Sequence, residues 1–395
     1  MTINKKERID KQMKENKKQT KGITLIALVI TIIVLLILAG VSIAMLTGQN
    51  GILTQAQNAK NRTEEAQVNE TNALTSYEQI INASTGVNLG TITGNETTNT
   101  VTQDSLGNRV VVPAGFRVVN PNDNVEDGIV IEDVSHGATA GSQFVWIPVG
   151  TGIKKKDGST FDINLSRYTF DASSGTPTVQ DSNIVSSSYC QELNIGKGNT
   201  TAKENIESET EGFRGSVIKN GGYYIGRYEA RTTTQRGNKN DPLTQITVKP
   251  NDYIYNYVTQ LQAAEKSQAM YTDSNFESDL MNSYAWDTAI VFLQECDDRE
   301  ETDIKPYSQQ NSLNTGDSPA IQGTNNLDTK DIICNVYDIA SNCYEWTTET
   351  SNNSGHPCVH RGGDYDYSGG CPGGRGSYDK SFSDPTNSFR PILYL

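Results

Sequence analysis

The longest feature in the hydrophobic pattern is an apolar run from Ile23 to Leu46, which holds 24 residues and no charged side chain. A helix of this length, at roughly 1.5 Å per residue, exceeds the roughly 30 Å hydrocarbon core of a bilayer. Residues 1–22 before it are rich in Lys, and basic flanks stay in the cytoplasm. The pattern predicts a single-pass membrane protein at a bacterial cell surface, with a cytoplasmic N-terminus and an extracellular C-terminal domain. The membrane would then be one of the protein's binding partners, contacted through residues 23–46.

The stretch that follows the apolar run is polar but keeps a helical character. Residues 52–81 contain no Pro or Gly and place Ala, Val, Leu and Ile among Gln, Asn and Glu. We therefore expect residues 23–81 to form a long transmembrane and stalk helix. Residues 82–108 are dominated by Asn, Thr, Ser and Gly, which favour turns and bury little surface. They predict a polar linker.

Short strand-like runs occupy much of the chain after this linker. They are β-branched or aromatic stretches bounded by Gly, Pro, Asn or Asp, at residues 109–112, 116–119, 128–131, 144–149 and 221–229. Two helices are expected among them. Thr259 and Gln262 have capping-box spacing at the start of residues 260–271, and Trp286 belongs to an apolar helical pattern that ends before Cys296. This mixture predicts an α+β domain over residues 109–395.

Charge and cysteine content narrow the choice of partners. The net charge is −14, which argues against nucleic acid because phosphate binding needs a surplus of Lys and Arg. The six cysteines lie in the domain predicted to be extracellular, where disulfides persist. One or two bridges are expected, but the spacing does not reveal which cysteines pair.

The segment around the start of the apolar run, Lys21-Gly22-Ile23-Thr24-Leu25-Ile26-Ala27, resembles the processing site of type IV prepilins. This resemblance implies cleavage between Gly22 and Ile23 by a prepilin peptidase, which would be a further partner. The family normally carries Glu at the fifth mature position, where this chain has Ala27. In pilins that carboxylate is thought to pair with a neighbouring subunit inside the membrane. A pilus subunit, a pseudopilin and a simple anchored protein therefore all stay open.

A second set of motifs covers about residues 110–395. In order along the chain it comprises Phe144-Val145-Trp146-Ile147-Pro148, Tyr223-Tyr224-Ile225-Gly226-Arg227-Tyr228-Glu229, the Trp286 helix, residues 335–346 (NVYDIASNCYEW), Arg361-Gly362-Gly363 and Phe389-Arg390-Pro391. The set resembles the formylglycine-generating enzyme (sulfatase-modifying factor) family, whose signature N-x-x-D-[ML]-x-G-N-x-x-E-W the fourth motif matches most closely. The resemblance implies a C-type-lectin-like fold for this domain.

The same resemblance bears on catalysis. Formylglycine-generating enzymes bind copper through two cysteines just after the Arg-Gly-Gly turn, and Cu(I) prefers such thiolates. Here Tyr367 stands roughly where the first cysteine belongs, and only Cys371 follows. We therefore expect no catalytic residues and a domain that is not an enzyme. A copper-dependent formylglycine-generating oxidase is one alternative, and a pilus or pseudopilus subunit is another.

The family also carries calcium near its Glu-Trp motif. That makes Asn342 and Glu345 candidate ligands for calcium, the one cofactor that the resemblance leaves open. The alternative is that Asn342 caps a turn while Glu345 pairs with a nearby arginine.

Near the C-terminus, residues 364–379 (DYDYSGGCPGGRGSYD) are rich in Tyr, Ser, Gly and Asp and contain no Lys, Glu, Gln, Met or Trp. Tyr offers rigid amphipathic contact and Ser, Gly and Asp offer adaptable polar contact, as in antibody loops. The composition favours a binding surface for an external protein or glycan. A merely solvated Gly-rich loop is the alternative.

This composition also resembles the randomised end of the target proteins of diversity-generating retroelements, which have the same lectin-like fold. Changes to the first two bases of an Asn-type codon reach the residue types present and none of the missing ones. The resemblance implies a ligand-display protein with a diversified surface. Its contact positions would be Asp364, Tyr365, Asp366, Tyr367, Ser368, Cys371, Arg375, Ser377 and Tyr378.

Overall fold

The computed structural model describes most of the chain after residue 87 and a set of helical residues before it. The described residues are 28–36, 38, 55, 59–60, 62–63, 66, 88–180, 189–192, 207–298, 305–311 and 331–395, with the backbone alone described at 189–192 and 207–211. The chain divides into two units, residues 1–73 and residues 74–395.

In the first unit, residues 28–36 are helical and their side chains are exposed. Within the described part of the chain, no helix is long and apolar enough to cross a bilayer. The predicted membrane anchor through residues 23–46 is therefore contradicted. The cell-surface location, with a cytoplasmic N-terminus and an extracellular C-terminal domain, is wrong with it because it was derived from that anchor.

Other N-terminal predictions fall on residues that the structure does not describe. The leader at 1–22, the processing site at Gly22 and Ile23, and most of the stalk up to residue 81 lie outside the described residues. Prepilin-type processing stays a prediction.

The second unit mixes strands and helices, which confirms the α+β class. Its strands are β1 (Thr100–Gln103), β2 (Arg109–Val112), β3 (Phe116–Val118), β4 (Val130–Asp133), β5 (Gln143–Pro148), β6 (Gly150–Lys154), β7 (Thr160–Ile163), β8 (Tyr168–Phe170), β9 (Pro177–Val179), β10 (Tyr189–Glu192), β11 (Gly222–Gly226), β12 (Arg231–Thr232), β13 (Tyr253–Ile254), β14 (Glu277–Leu280), β15 (Ile332–Ile333), β16 (Val336–Tyr337), β17 (Tyr344–Ser351), β18 (Cys358–Gly362), β19 (Cys371–Tyr378), β20 (Asn387–Phe389) and β21 (Pro391–Tyr394). Its helices are α1 (Glu207–Asn220), α2 (Gln260–Gln268) and α3 (Ser283–Glu295).

The predicted linker differs from the structure over its described residues, 88–108. Leu89 is buried in the core, and β1 pairs antiparallel with β2. The polar composition is accommodated by hydrogen bonds rather than by solvent. The buried Asp104 carboxylate accepts from the backbone of Leu106, Asn108 and Val125. Such side-chain acceptors let a polar segment fold against the domain.

A six-stranded sheet in the order β14-β21-β11-β5-β4-β3 forms one part of the core. Its central strands β5 and β11 are buried at every residue, which explains why their sequences read as continuous apolar runs rather than alternating patterns. At the edge, β3 alternates between buried and exposed side chains. Arg117 on its exposed face pairs with Glu132 of β4.

A second sheet has the order β10-β17-β18-β19, and β20 pairs parallel to β17. Two capped helices pack near β17 and β19. Helix α2 has the predicted capping box between Thr259 and Gln262, although it ends at Gln268 rather than at residue 271. Helix α3 is capped by Asn282, and its Trp286 donates a hydrogen bond to the Pro372 carbonyl of β19 at 2.8 Å.

The two sheets meet at Arg390, the single residue between β20 of one sheet and β21 of the other. Its guanidinium is fully buried and binds both oxygens of Glu345 on β17, with Nε 3.1 Å from each. It also donates to the carbonyls of Gly226 and Tyr337, each at 2.8 Å. The Glu-Trp motif and the Phe-Arg-Pro motif are thus joined by one buried ion pair.

We predict that Glu345→Gln destabilises the protein by about 3–5 kcal/mol, because Arg390 would remain buried without a counter-charge. Urea denaturation of the full chain measures this loss. Glu132→Gln is the matched control: its partner Arg117 has a side chain that is 52% exposed, so the expected change is below about 1 kcal/mol. Equal effects of the two substitutions would contradict the role given to the buried pair.

Candidate ligand-binding surface

The predicted contact residues lie on the connection between β18 and β19 and along β19 itself. The two strands are antiparallel, with Cys358 opposite Tyr378 and Gly362 opposite Cys371. Gly362 of the Arg-Gly-Gly motif has φ +84°, and a Cβ there would lie 2.6 Å from the Ile339 carbonyl oxygen. Glycine is therefore needed where the chain leaves β18.

A buried network of charges lies beneath β19. Arg361 contacts Asp287 at 2.6 Å and Glu349 at 3.3 Å. Arg375 binds the same two carboxylates, with 2.9 Å between its Nε and Glu349. Arg167 adds a third contact to Glu349 at 2.9 Å. Since Asp287 lies on α3 and Glu349 on β17, this charge network fastens β19 to both a helix and the neighbouring sheet.

The electrostatics of the charge network favour the ionised forms of Asp287 and Arg375, whereas burial and the neighbouring charge of Arg375 lower the pKa of Arg361. Burial alone would raise the pKa of the Asp287 carboxyl, but Arg361 and Arg375 hold it below its ordinary value. Burial opposes the charge on Arg375, yet Asp287 and Glu349 raise its pKa above the usual range. Among these five described residues, three guanidinium groups face two carboxylates. Loss of one arginine would thus leave a balanced set.

The structure separates the predicted contact residues by exposure. Exposed members are Asp366, Tyr367 and Ser368; half-buried members are Cys371, Ser377 and Tyr378; buried members are Asp364 and Tyr365, together with the side chain of Arg375. We call residues 366–368 the tip. Tyr367 is 61% exposed, which is high for a large aromatic side chain.

The segment before the tip is held by hydrogen bonds. The Asp364 carboxylate accepts from the Tyr367 backbone amide at 2.6 Å, and the Tyr365 amide donates to the Asn342 carbonyl at 2.9 Å. Burial raises the pKa of Asp364 to about 6, although the hydrogen bond from Tyr367 opposes this shift. The tip therefore projects from a fixed base.

The far end of β19 packs against an aromatic layer. Tyr378 stacks on Phe382, with 3.7 Å between ring centroids, and on His360 at 4.9 Å. The His360 ring meets the edge of Tyr344 at 4.3 Å. Burial lowers the pKa of His360 to about 3, so the imidazole is neutral near pH 7 and serves as a packing group.

Asn342 and Glu345, the candidate calcium ligands, are already engaged inside the core. The Asn342 amide donates to Glu229 at 2.7 Å, and Glu345 binds Arg390, so a cation on Glu345 would face a guanidinium. In the described residues there is no group of three or more His, Cys, Asp or Glu that could hold a metal. The pair does not fit a calcium site, which takes six to eight oxygen ligands. The alternative for Glu345, pairing with an arginine, is confirmed.

Sequence reasoning missed the carboxylates that hold the surface in place. Asp287 did carry a signal, because a charged residue inside an apolar helical pattern is rarely buried unless it is paired. Glu349 stands among threonines at the end of a strand and gave no such signal.

We predict that Arg375→Ser, a change that the composition of this segment would permit, destabilises the protein by about 1.5–3 kcal/mol, the usual loss for hydrogen bonds to charged groups. The loss stays below that for Glu345→Gln because Arg167 and Arg361 still balance the two carboxylates. Thermal unfolding measures the effect. Tyr367→Ser at the exposed tip is the control and should change stability by no more than about 0.5 kcal/mol. If Arg375→Ser leaves the stability of the protein unchanged, the charge network does not hold β19.

Comparisons with known proteins do not assign this chain to a family. The sequence matches no protein-family model and no curated protein. Three solved structures show a weak likeness, each at 11% identity. They are Treponema denticola variable protein 1 (64% of this chain and 96% of that chain, TM-score 0.33), PvdO from Pseudomonas aeruginosa (45% and 82%, TM-score 0.30) and CarF (44% and 87%, TM-score 0.30). At these TM-scores the likenesses establish neither a family nor a function for this chain.

Proposed function

We propose that the chain is a non-catalytic ligand-binding protein, whose second unit is a formylglycine-generating-enzyme-like domain of C-type-lectin type that presents the tip to a protein or glycan. The observation that carries this proposal is the contrast within one short segment. Tyr367 is largely exposed, whereas Arg375, eight residues later, is buried in the charge network. A display surface is expected to combine an exposed loop whose residues can vary with buried supporting residues that cannot.

The chemistry of the tip supports recognition. An exposed tyrosine flanked by an aspartate and a serine offers a rigid aromatic face beside adaptable hydrogen-bonding groups. Asp364 lies close enough to Asp366 and Asp384 for these carboxylates to raise its pKa. The surface is therefore acidic around the tip, which favours ligands with hydroxyl donors or positive charge.

The position of Tyr367 also supports a non-catalytic domain. It stands where the resembled oxidases carry the first copper thiolate, and its side chain is 61% exposed at the tip. A phenol does not replace the soft thiolate that Cu(I) prefers. Binding without turnover is therefore the better account of this segment.

We predict that probing an array of immobilised glycans and an array of purified proteins with the full chain yields a ligand. The triple substitution Asp366→Ala, Tyr367→Ala and Ser368→Ala should weaken its binding at least about tenfold, because exposed aromatic anchors dominate such interfaces. Tyr253→Ala is the control, since Tyr253 is also an exposed tyrosine, at 37%, but lies on β13.

Two results would contradict the proposed function. One is binding that the triple substitution leaves unchanged while Tyr253→Ala abolishes it. The other is turnover, seen as oxidation of a cysteine-containing sulfatase peptide by the protein after titration with copper.

We further propose that the tip and its half-buried neighbours Cys371, Ser377 and Tyr378 are diversified. Sequencing the gene from many cells of one culture should reveal substitutions concentrated in the codons for these residues. The codons for Arg361 and Arg390 should stay unchanged, because both side chains are buried and ion-paired. A uniform sequence across the population, or changes spread evenly along the gene, would contradict diversification. Neither result would contradict the proposal of ligand binding.

A further inference from the structure

The exposed tyrosine of the tip lies against a glycine two residues further along the chain. A Cβ on Gly369 would lie 2.4 Å from both the Tyr367 phenol oxygen and the ring carbon that carries it, and 2.5 Å from a neighbouring ring carbon. Because these three distances are nearly equal, Gly369 meets one face of the ring at its phenol end. Non-bonded carbon atoms pack at about 3.5–4.0 Å, so only glycine leaves room for the ring in this position.

The backbone of Tyr367 is fixed as well. Its amide donates to the Asp364 carboxylate at 2.6 Å, and Asp364 is itself buried. The tyrosine is therefore held at its backbone by Asp364 and at its phenol end by Gly369. Its side chain is nevertheless 61% exposed, and this exposure belongs mainly to the ring face that points away from Gly369. The tip thus presents an aromatic face whose orientation is set before any ligand arrives.

Gly369 differs from other glycines of the same segment in what a side chain would meet. A Cβ on Gly370 would lie 2.8 Å from the Gly362 carbonyl oxygen, and one on Gly376 would lie 2.2 Å from the buried His360 ring. These two glycines are required by the packing of backbone and core around β19. At Gly369 the obstacle is the outer end of an exposed side chain, which can swing aside. A side chain at position 369 would therefore re-orient the tyrosine and leave the fold intact.

We propose that Gly369 is a positioning residue for ligand binding, because it sets the orientation in which the Tyr367 ring meets the ligand. This inference rests on the proposed ligand binding at the tip. A contact side chain that is ordered in advance lowers the entropy cost of association. The face of an aromatic ring carries partial negative charge and its edge partial positive charge, so a re-oriented ring favours different ligand groups. Residue 369 thereby determines specificity although it has no side chain to contact the ligand.

The first test measures the position of the ring and needs no ligand. A proton held against the face of an aromatic ring resonates upfield of its usual position. In the NMR spectrum of the full chain we expect an upfield-shifted Hα signal of Gly369, identified by its loss in Gly369→Ala. Tyr367→Ser should return this signal to the usual range, whereas Tyr253→Ser, which removes an exposed tyrosine elsewhere, should leave it shifted. A Gly369 Hα signal that is unshifted in the unmodified chain overturns the proposal.

The second test probes the same glycan and protein arrays with variant chains. Gly369→Ala should weaken binding to the array members that the unmodified chain binds by at least about fivefold, because a displaced anchor loses much of its contact. The midpoint of thermal unfolding should stay unchanged. Gly374→Ala is the matched control, since a Cβ there would lie 3.2 Å from the Cys371 Sγ, and it should keep the original binding. In a Tyr367→Ser chain, adding Gly369→Ala should cause no further loss, because the ring that it displaces is gone.

The outcomes separate this inference from the proposed function. If the triple substitution at the tip weakens binding and Gly369→Ala does not, the positioning role is overturned and ligand binding at the tip stands. The positioning role is also overturned if Gly369→Ala weakens binding equally with and without Tyr367. Binding that the triple substitution leaves unchanged contradicts the proposed function, and the positioning role falls with it.

Discussion

The ion pair between Glu345 and Arg390 is the constraint on which the second unit depends. Arg390 is the only residue between a strand of one sheet and a strand of the other, so its position fixes how the two sheets join. A buried guanidinium is tolerated because Glu345 and two backbone carbonyls satisfy it. The Glu-Trp and Phe-Arg-Pro motifs therefore describe a structural joint, and their presence does not imply catalysis.

The charge network beneath β19 likewise consists of buried arginines that are paired with buried carboxylates. Arg361 lies on β18. Together with Arg375 of β19 it pairs with Asp287 and Glu349, and these ion pairs hold β19 in place. Interactions of this kind have strict geometry, because an unpaired charge in the interior is costly. They leave the tip free to differ, since its side chains contribute nothing to the pairing beneath. The residues that stabilise this hairpin are thus different from the residues of its exposed tip.

Much of this fold follows from local sequence. The apolar runs at β5 and β11 and the capping box of α2 depend on neighbouring residues, and they were predicted. The membrane anchor expected over residues 23–46 was wrong: among the described residues no helix is long and apolar enough to cross a bilayer. The folding of 88–108 was also missed, since it rests on Asp104 bonding with Val125, a contact distant in sequence. The charge network was missed for the same reason, because Glu349 pairs with Arg167, a residue 182 positions away in the sequence.

Arg375 shows why composition alone could not define the candidate site. It belongs to a segment whose residue types suit a contact surface, and its own type is among those that random codon change would reach. The structure nevertheless turns its side chain inward, where it neutralises Asp287 and Glu349. A contact position needs exposure as well as suitable chemistry, and exposure is set by which carboxylates lie beneath the strand. Any process that varies this segment must therefore spare Arg375 or lose stability each time it changes, so useful variation is confined to the tip and its half-buried neighbours.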